Sequence, residues 1–147
     1  MKNNLILAIS GNDIFSGGGL HADLATYTVN QLHGFVAVTC LTAMTEQGFE
    51  VLPVDTTVFA QQLNSLKDVP FSAIKLGLLP NVEVADLALD FVKAHAEIPV
   101  VLDPVLVCKE THDVEVSALR DELIKFFPYT NIITPNLPEA ELLAQKE

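Results

Sequence analysis

Short apolar segments of strand length alternate with longer segments of helical periodicity along the whole 147-residue sequence. The segments that predict strands are residues 5–9, 35–41, 51–54, 73–76, 100–102 and 132–133. The segments that predict helices are residues 20–32, 57–66, 82–96, 117–127 and the stretch from Pro138 onward. This alternation is typical of an α/β fold and predicts a doubly wound, mostly parallel sheet with helices on both faces. We expect every strand except 51–54 to lie in that one sheet.

Capping residues support these boundaries. Asp55 or Thr56 is expected to cap the second helix, and Asn81 the third, because short polar side chains accept the first free N–H groups of a helix. Gly34 is expected to close the first helix as a C-terminal cap. Pro138 suits the first turn of the last helix.

Charge and hydropathy exclude several classes of protein. The chain carries 19 acidic and 8 basic residues, a net charge of −11, which argues against nucleic-acid binding. Half of the residues are hydrophobic, so a disordered chain is excluded. We find neither an apolar stretch of about 18 residues, as a membrane span needs, nor the pattern of a signal peptide. These observations lead us to expect a soluble, cytoplasmic protein that binds neither nucleic acid nor membranes.

Ligands of such sheets bind beyond the carboxyl ends of the strands, so polar residues that follow strands are the candidates for function. The first group spans residues 10–19 and contains Gly17, Gly18 and Gly19 before the first helix. Backbone N–H groups there can bind an anion at a helix N-terminus. The segment lacks the spacing of a Walker A loop or a dinucleotide-binding loop. A tight turn between strand and helix explains its glycines equally well.

The second group follows the strand 100–102. Asp103 can hold a hydrated Mg²⁺ near phosphates, or it can simply end the strand in a turn. Cys108, beside Lys109, is either a reactive thiol with a lowered pKa or a passive loop residue.

The third group follows the strand 132–133. Asn136 and Glu139 flank a helix start, where they can serve a metal-bound phosphate or act as ordinary capping residues. The residues alone leave both alternatives open.

Taken together, these segments resemble the ribokinase-like superfamily, and within it the hydroxymethylpyrimidine (phosphate) kinases and bacterial pyridoxal kinases. The resemblance is carried, in order along nearly the whole chain, by residues 9–13, 17–24, 39–43, 75–79, 103–105 and 134–141. It implies transfer of the ATP γ-phosphoryl group to a hydroxymethyl group on a heteroaromatic ring, with Mg²⁺ as cofactor. We also expect a homodimer, because half of a doubly wound sheet leaves a strand edge with unpaired N–H and C=O groups that a second copy can bury.

The resemblance assigns roles residue by residue. It places Asp103 and Glu139 at the metal, and Asn136 and Glu139 at the nucleotide phosphates. It places four residues around the acceptor ring, namely Asp23, Met44, Leu78 and Val105.

Two departures are single residues. The first is Asn12, which stands where the family commonly has Ser or Thr. The second is Met44, which stands where pyrimidine kinases carry a Gln that hydrogen-bonds the ring, and Met offers only an apolar contact. With Cys108, which matches a lid thiol that can add to the pyridoxal aldehyde, this favours pyridoxal as the substrate. Hydroxymethylpyrimidine is the alternative.

The length of the chain is a third departure. Members of the family are longer, and their later half carries the Gly-rich anion hole and the catalytic base. We therefore expect residues 1–147 to be the N-terminal part of a single ribokinase-like kinase domain, truncated on its C-terminal side and without useful kinase activity alone. A binding module that keeps half of a vitamin site, and a different α/β protein such as a dinucleotide-binding domain, are the other classes considered.

Overall fold

The computed structural model describes residues 3–106 and 113–144. The strands are β1 (Leu5–Ser10), β2 (His33–Val38), β3 (Cys40–Thr45), β4 (Gly48–Pro53), β5 (Ala73–Leu76), β6 (Val100–Leu102) and β7 (Ile132–Ile133). The helices are α1 (Gly19–Val29), α2 (Thr56–Leu66), α3 (Val82–Ala94), α4 (Asp113–Ile124) and α5 (Leu137–Ala144), with a 3-10 turn at Phe127–Tyr129. None of the helices in these two described stretches is long and apolar enough to cross a membrane.

Five strands form one sheet in the order β2-β1-β5-β6-β7, and every neighbouring pair is parallel. Residues 6–10 of the central strand β1 are all buried, which requires cover on both faces of the sheet. Helix α1 packs on β1 and β2, while α2, α3 and α4 pack against one another in sequence. The predicted α/β fold and its five-stranded sheet are confirmed.

The segment 35–41, predicted as one strand, is in fact two. The chain leaves the main sheet at Thr39, whose N–H donates to the Ser10 carbonyl at 3.0 Å and whose hydroxyl donates to the Leu78 carbonyl at 2.7 Å. Beyond it, β3 and β4 form a separate antiparallel hairpin. Thr39 is the one polar residue in this otherwise apolar run, but threonine is common within strands and does not mark the point at which a strand changes partners, so the prediction was wrong here.

Gly34 does not cap the first helix, contrary to the prediction. Helix α1 ends at Val29, and the left-handed turn after it falls on Gln31, with a φ of 62°. Gly34 instead lies in β2, where a Cβ atom would sit 2.6 Å from Leu24 Cδ2 and 2.8 Å from a ring carbon of Tyr27. Its small size therefore serves close packing of α1 against β2.

The other capping residues act as predicted. The Asp55 carboxylate accepts from the N–H groups of residues 57 and 58, and the Asn81 amide oxygen accepts from Val84 N–H. Helix α4 begins at Asp113, four residues before its predicted start, because its weak apolar pattern marks no boundary.

At the outer edge of β2, a side chain forms hydrogen bonds with the backbone of one residue, Val38. The Gln62 amide on α2 accepts from Val38 N–H at 2.8 Å and donates to the Val38 carbonyl at 3.0 Å. Both backbone groups of this edge residue are thereby satisfied, as a neighbouring strand would satisfy them.

Candidate active site at the carboxyl edge of the sheet

An ion pair lies at the carboxyl end of β5. The Lys75 ammonium contacts both carboxylate oxygens of Asp23, on α1, at 2.8 and 3.1 Å. The two side chains are only 23% and 14% exposed, so the pair is largely removed from water. Lys75 lies in the segment 75–79, which contributes to the family resemblance, but no role was predicted for it. The signal was a lysine inside a strand that is otherwise apolar.

Asp103 follows β6 and belongs to the same electrostatic cluster. Burial raises the pKa of its carboxyl, and the negative charges of Glu139 and Asp23 raise it further, while the nearby Lys75 ammonium lowers it. The structure thus brings together three predicted acidic residues and one unpredicted cation. Only Asp23 and Lys75 are in direct contact, and the charges of Lys75, Glu139 and Asp23 act on Asp103 through space. With three carboxylates and one ammonium, this edge of the sheet has a net negative charge that favours a further positive charge.

Asn136 and Glu139 form a reciprocal capping box at the start of α5. Asn136 N–H donates to Glu139 Oε1 at 3.0 Å, and Glu139 N–H donates to Asn136 Oδ1 at 2.9 Å. Glu139 is only 5% exposed, and its other oxygen accepts a long 3.4 Å bond from Leu106 N–H. Capping is therefore what the structure shows. The proposed contacts with metal and nucleotide stay predictions.

The glycine-rich loop after β1 folds around a carboxylate of its own. Asp13 Oδ2 accepts from the N–H groups of Gly17 and Gly18 at 3.1 and 3.0 Å, and Oδ1 accepts from Phe15 N–H at 3.0 Å. Ser16 adopts a left-handed conformation with a φ of 59°. Of the two alternatives, the turn is the one observed, because these N–H groups are engaged by Asp13. The sequence did not reveal this role of Asp13.

The remaining residues predicted around the ring occupy different places. Met44 lies on the β3–β4 hairpin and is 60% exposed. Leu78 follows β5 and Val105 follows β6, and both are partly buried at the carboxyl edge. Cys108 and Lys109 lie outside the described residues, so the predicted lid thiol has no structural account.

The residues present fit a magnesium ion. Within residues 3–106 and 113–144 no three His, Cys, Asp or Glu side chains are grouped closely enough to ligate a metal by themselves. Mg²⁺ does not require this, since it commonly takes one or two carboxylates and completes its shell with water and phosphate oxygens. Asp103, a partly buried carboxylate with acidic neighbours, has the chemistry of such a ligand. Both oxygens of Glu139 are engaged by backbone N–H groups.

Comparison with known proteins identifies the family of the chain. The profile of the phosphomethylpyrimidine kinase family matches residues 13–147, which is most of the chain. The chain belongs to this family. The resemblance seen in the sequence is therefore confirmed.

Individual members fall into two groups by name. The chain is 36% identical to the pyridoxine kinase of Bacillus subtilis, over 98% of its own length and 55% of that protein. It is 35% identical to a hydroxymethylpyrimidine/phosphomethylpyrimidine kinase of Haemophilus influenzae, covering 94% of its own length and 52% of that protein. The pyridoxal kinase from Staphylococcus aureus in complex with AMP-PCP and pyridoxal superposes with a TM-score of 0.84 at 30% identity, over 96% of this chain and 51% of that one. The chain thus spans about half the length of the relatives it matches.

Proposed function

We propose that the protein carrying this chain transfers the γ-phosphoryl group of ATP to the hydroxymethyl group of a heteroaromatic vitamin precursor, with pyridoxal or pyridoxine as the favoured acceptor. The observation that carries the proposal is the cluster of Asp23, Lys75, Asp103 and Glu139 at the carboxyl edge of the sheet. Family membership supplies the reaction class. The half-length match supports treating residues 1–147 as the N-terminal part of one kinase domain.

The acceptor ring would lie between the strand ends and the hairpin. Asp23 offers a carboxylate held in one orientation by Lys75, and it is suited to a polar group of the ring. Leu78, Val105 and Met44 offer apolar contacts. Because Met44 has no strong hydrogen-bonding group, it suits a pyridine ring better than an aminopyrimidine.

The donor side would use the acidic residues. Asp103 would hold Mg²⁺, and Glu139 and Asn136 would lie near the nucleotide phosphates. Bound Mg²⁺ neutralises charge on the transferred group, which is most of what phosphoryl transfer requires. Asp103 and Glu139 would position it. The complex of the Staphylococcus aureus enzyme with the ATP analogue AMP-PCP supports ATP as the donor.

Two further parts of the proposal concern Cys108 and assembly. Cys108 would act as a lid thiol toward the pyridoxal aldehyde. A homodimer is supported by Leu41 and Leu52, a cross-strand pair on the hairpin that is 53% and 43% exposed. We place the reaction in the cytoplasm, where ATP is supplied.

The decisive experiment is a phosphoryl-transfer assay with ATP, Mg²⁺ and each acceptor in turn: pyridoxal, pyridoxine, hydroxymethylpyrimidine and its phosphate. We expect the protein carrying this chain to prefer the two B6 vitamers, and Met44→Ala to raise their KM. Turnover of hydroxymethylpyrimidine phosphate alone would replace the pyridoxal assignment by the alternative. Ligand binding without turnover would favour a non-catalytic half-site. If turnover is seen, an unchanged pyridoxal KM in Met44→Ala would contradict the placement of the ring.

A further inference from the structure

Two exposed aromatic rings touch at the outer part of the hairpin. Phe15 is 64% exposed and Phe49 is 43% exposed. Their ring centroids are 6.2 Å apart, with an interplanar angle of 28°. Among the exposed large hydrophobic side chains in the described stretches, these two are the only aromatic ones. Exposed apolar surface of this kind commonly marks a binding site.

The position of Phe15 is fixed by its neighbours. Its N–H donates to Asp13, and the adjacent Ile14 N–H donates to Thr42 Oγ1 on β3 at 2.8 Å. The loop is thus tied to the hairpin through Thr42, which is itself 7% exposed. Phe15 therefore lies against Phe49 because the backbone holds it there.

The hairpin face that carries Phe49 leads into the carboxyl edge of the sheet. Cys40, Thr42 and Met44 alternate along this face of β3, and their exposed fractions rise from 0% through 7% to 60%. Met44 is the cross-strand partner of Phe49. At the buried end, Asn12 N–H donates to the Cys40 carbonyl at 2.9 Å, which seats the hairpin on the end of β1. The aromatic pair stands at the outer end of this face, and the strand ends lie at its inner end.

We propose that Phe15 and Phe49 form an aromatic rim of the acceptor site, against which the heteroaromatic ring of the substrate stacks. The proposal rests on the proposed function, since it takes the acceptor to be a flat ring bearing a hydroxymethyl group. An aromatic face attracts such a ring in an offset stack, whatever the pattern of its hydrogen-bonding groups. Met44, beside Phe49, extends the same apolar surface toward the strand ends.

Binding of pyridoxine to the whole protein that carries this chain tests the rim, because the chain spans only about half the length of its relatives. Pyridoxine has no aldehyde, so it cannot form an imine with lysine and confuse the titration. Calorimetric titrations would compare the wild type with Phe15→Ser and Phe15→Tyr. The matched control is Val29→Ser, which changes another exposed apolar residue, 80% exposed and at the end of α1. The thermal midpoint of each variant shows whether it is folded.

We expect Phe15→Ser to weaken pyridoxine binding about tenfold, the loss typical of removing one stacking ring. Phe15→Tyr, which keeps the ring, and Val29→Ser should bind as the wild type does. Because the Phe15 side chain is exposed, the thermal midpoints of the Phe15 variants should equal that of the wild type. Equal affinity in wild type and Phe15→Ser would overturn the rim and leave the proposed function standing. Absence of any pyridoxine binding by the wild-type protein would overturn both the rim and the B6 vitamers as acceptors. Should Phe15→Ser fold poorly, loss of affinity in Phe15→Leu, which keeps the apolar volume without the ring, decides the same question.

Discussion

Substituting Lys75 by Met removes the ammonium that contacts Asp23 at 2.8 and 3.1 Å and keeps most of the aliphatic stem. The remaining carboxylate would be 14% exposed and without this cation. Removing one partner of a fully buried pair costs about 3–5 kcal/mol, whereas exposed pairs contribute about 0–1 kcal/mol. Since Lys75 itself is 23% exposed, we expect a loss between these limits, about 2 kcal/mol of the free energy of unfolding.

Urea unfolding followed by far-ultraviolet circular dichroism measures this loss, because the chain has no tryptophan to report by fluorescence. With a slope of about 2 kcal/mol per molar urea, the midpoint should fall by about 1 M. Lys67→Met, at an exposed lysine that ends α2, is the control and should change the midpoint little.

A double-mutant cycle separates the pair from other effects of the substitution. Asp23→Asn alone and together with Lys75→Met completes the cycle, and the effects of residues in direct contact should not add. A Lys75→Met midpoint equal to that of the wild type, or effects that simply sum in the double variant, would refute the argument that this ion pair is shielded from water.

Three further predictions concern single positions. Burial raises the pKa of Asp103, so the folded state prefers its protonated form and loses stability as the pH rises through that pKa. Asp103→Asn should therefore be more stable than the wild type at pH 7, by a margin that vanishes below about pH 4 in urea unfolding. Asp13→Ala removes the acceptor of three N–H groups and should cost about 2 kcal/mol, more than the cap variant Asp55→Ala at about 1 kcal/mol, in the same assay. Gly34→Ala should lower stability by about 1–3 kcal/mol, because its Cβ would overlap two side chains of α1, and an unchanged melting temperature would contradict that packing.

The parts of the fold that were predicted correctly are those with a strong local cause. Strands β5, β6 and β7 have the predicted bounds because their apolar runs are short and end in turn-forming residues. Asp55 and Asn81 cap helices through bonds that span only two or three residues. Thr39 and Gly34 were misjudged because their roles depend on partners far away in the sequence, Ser10 and Leu78 for the first and α1 for the second.

The same distinction applies to the site. Asp23, which lies inside α1, was placed at the site by the family resemblance. Asp103 and Glu139 could be grouped from the sequence itself because parallel strands deliver their following residues to one edge. The partner of Asp23 could not, since Lys75 lies 52 residues away and its contact depends on the placement of α1 over β5. Likewise, the glycine N–H groups looked available for an anion until the position of the Asp13 carboxylate was known.

The carboxylate inside the glycine-rich loop has a consequence for the thermodynamics of ligand binding. Because Asp13 already engages the N–H groups of residues 15, 17 and 18, the loop loses its conformational freedom when the chain folds. Phe15 is then presented to a ligand without a further entropy loss for that backbone, as in other preorganised sites. If the Asp13 contacts were weakened, the loop would become ordered only when the ligand binds, and the entropy cost of that ordering would reduce the binding free energy. Affinity would then fall although Asp13 does not have to touch the ligand.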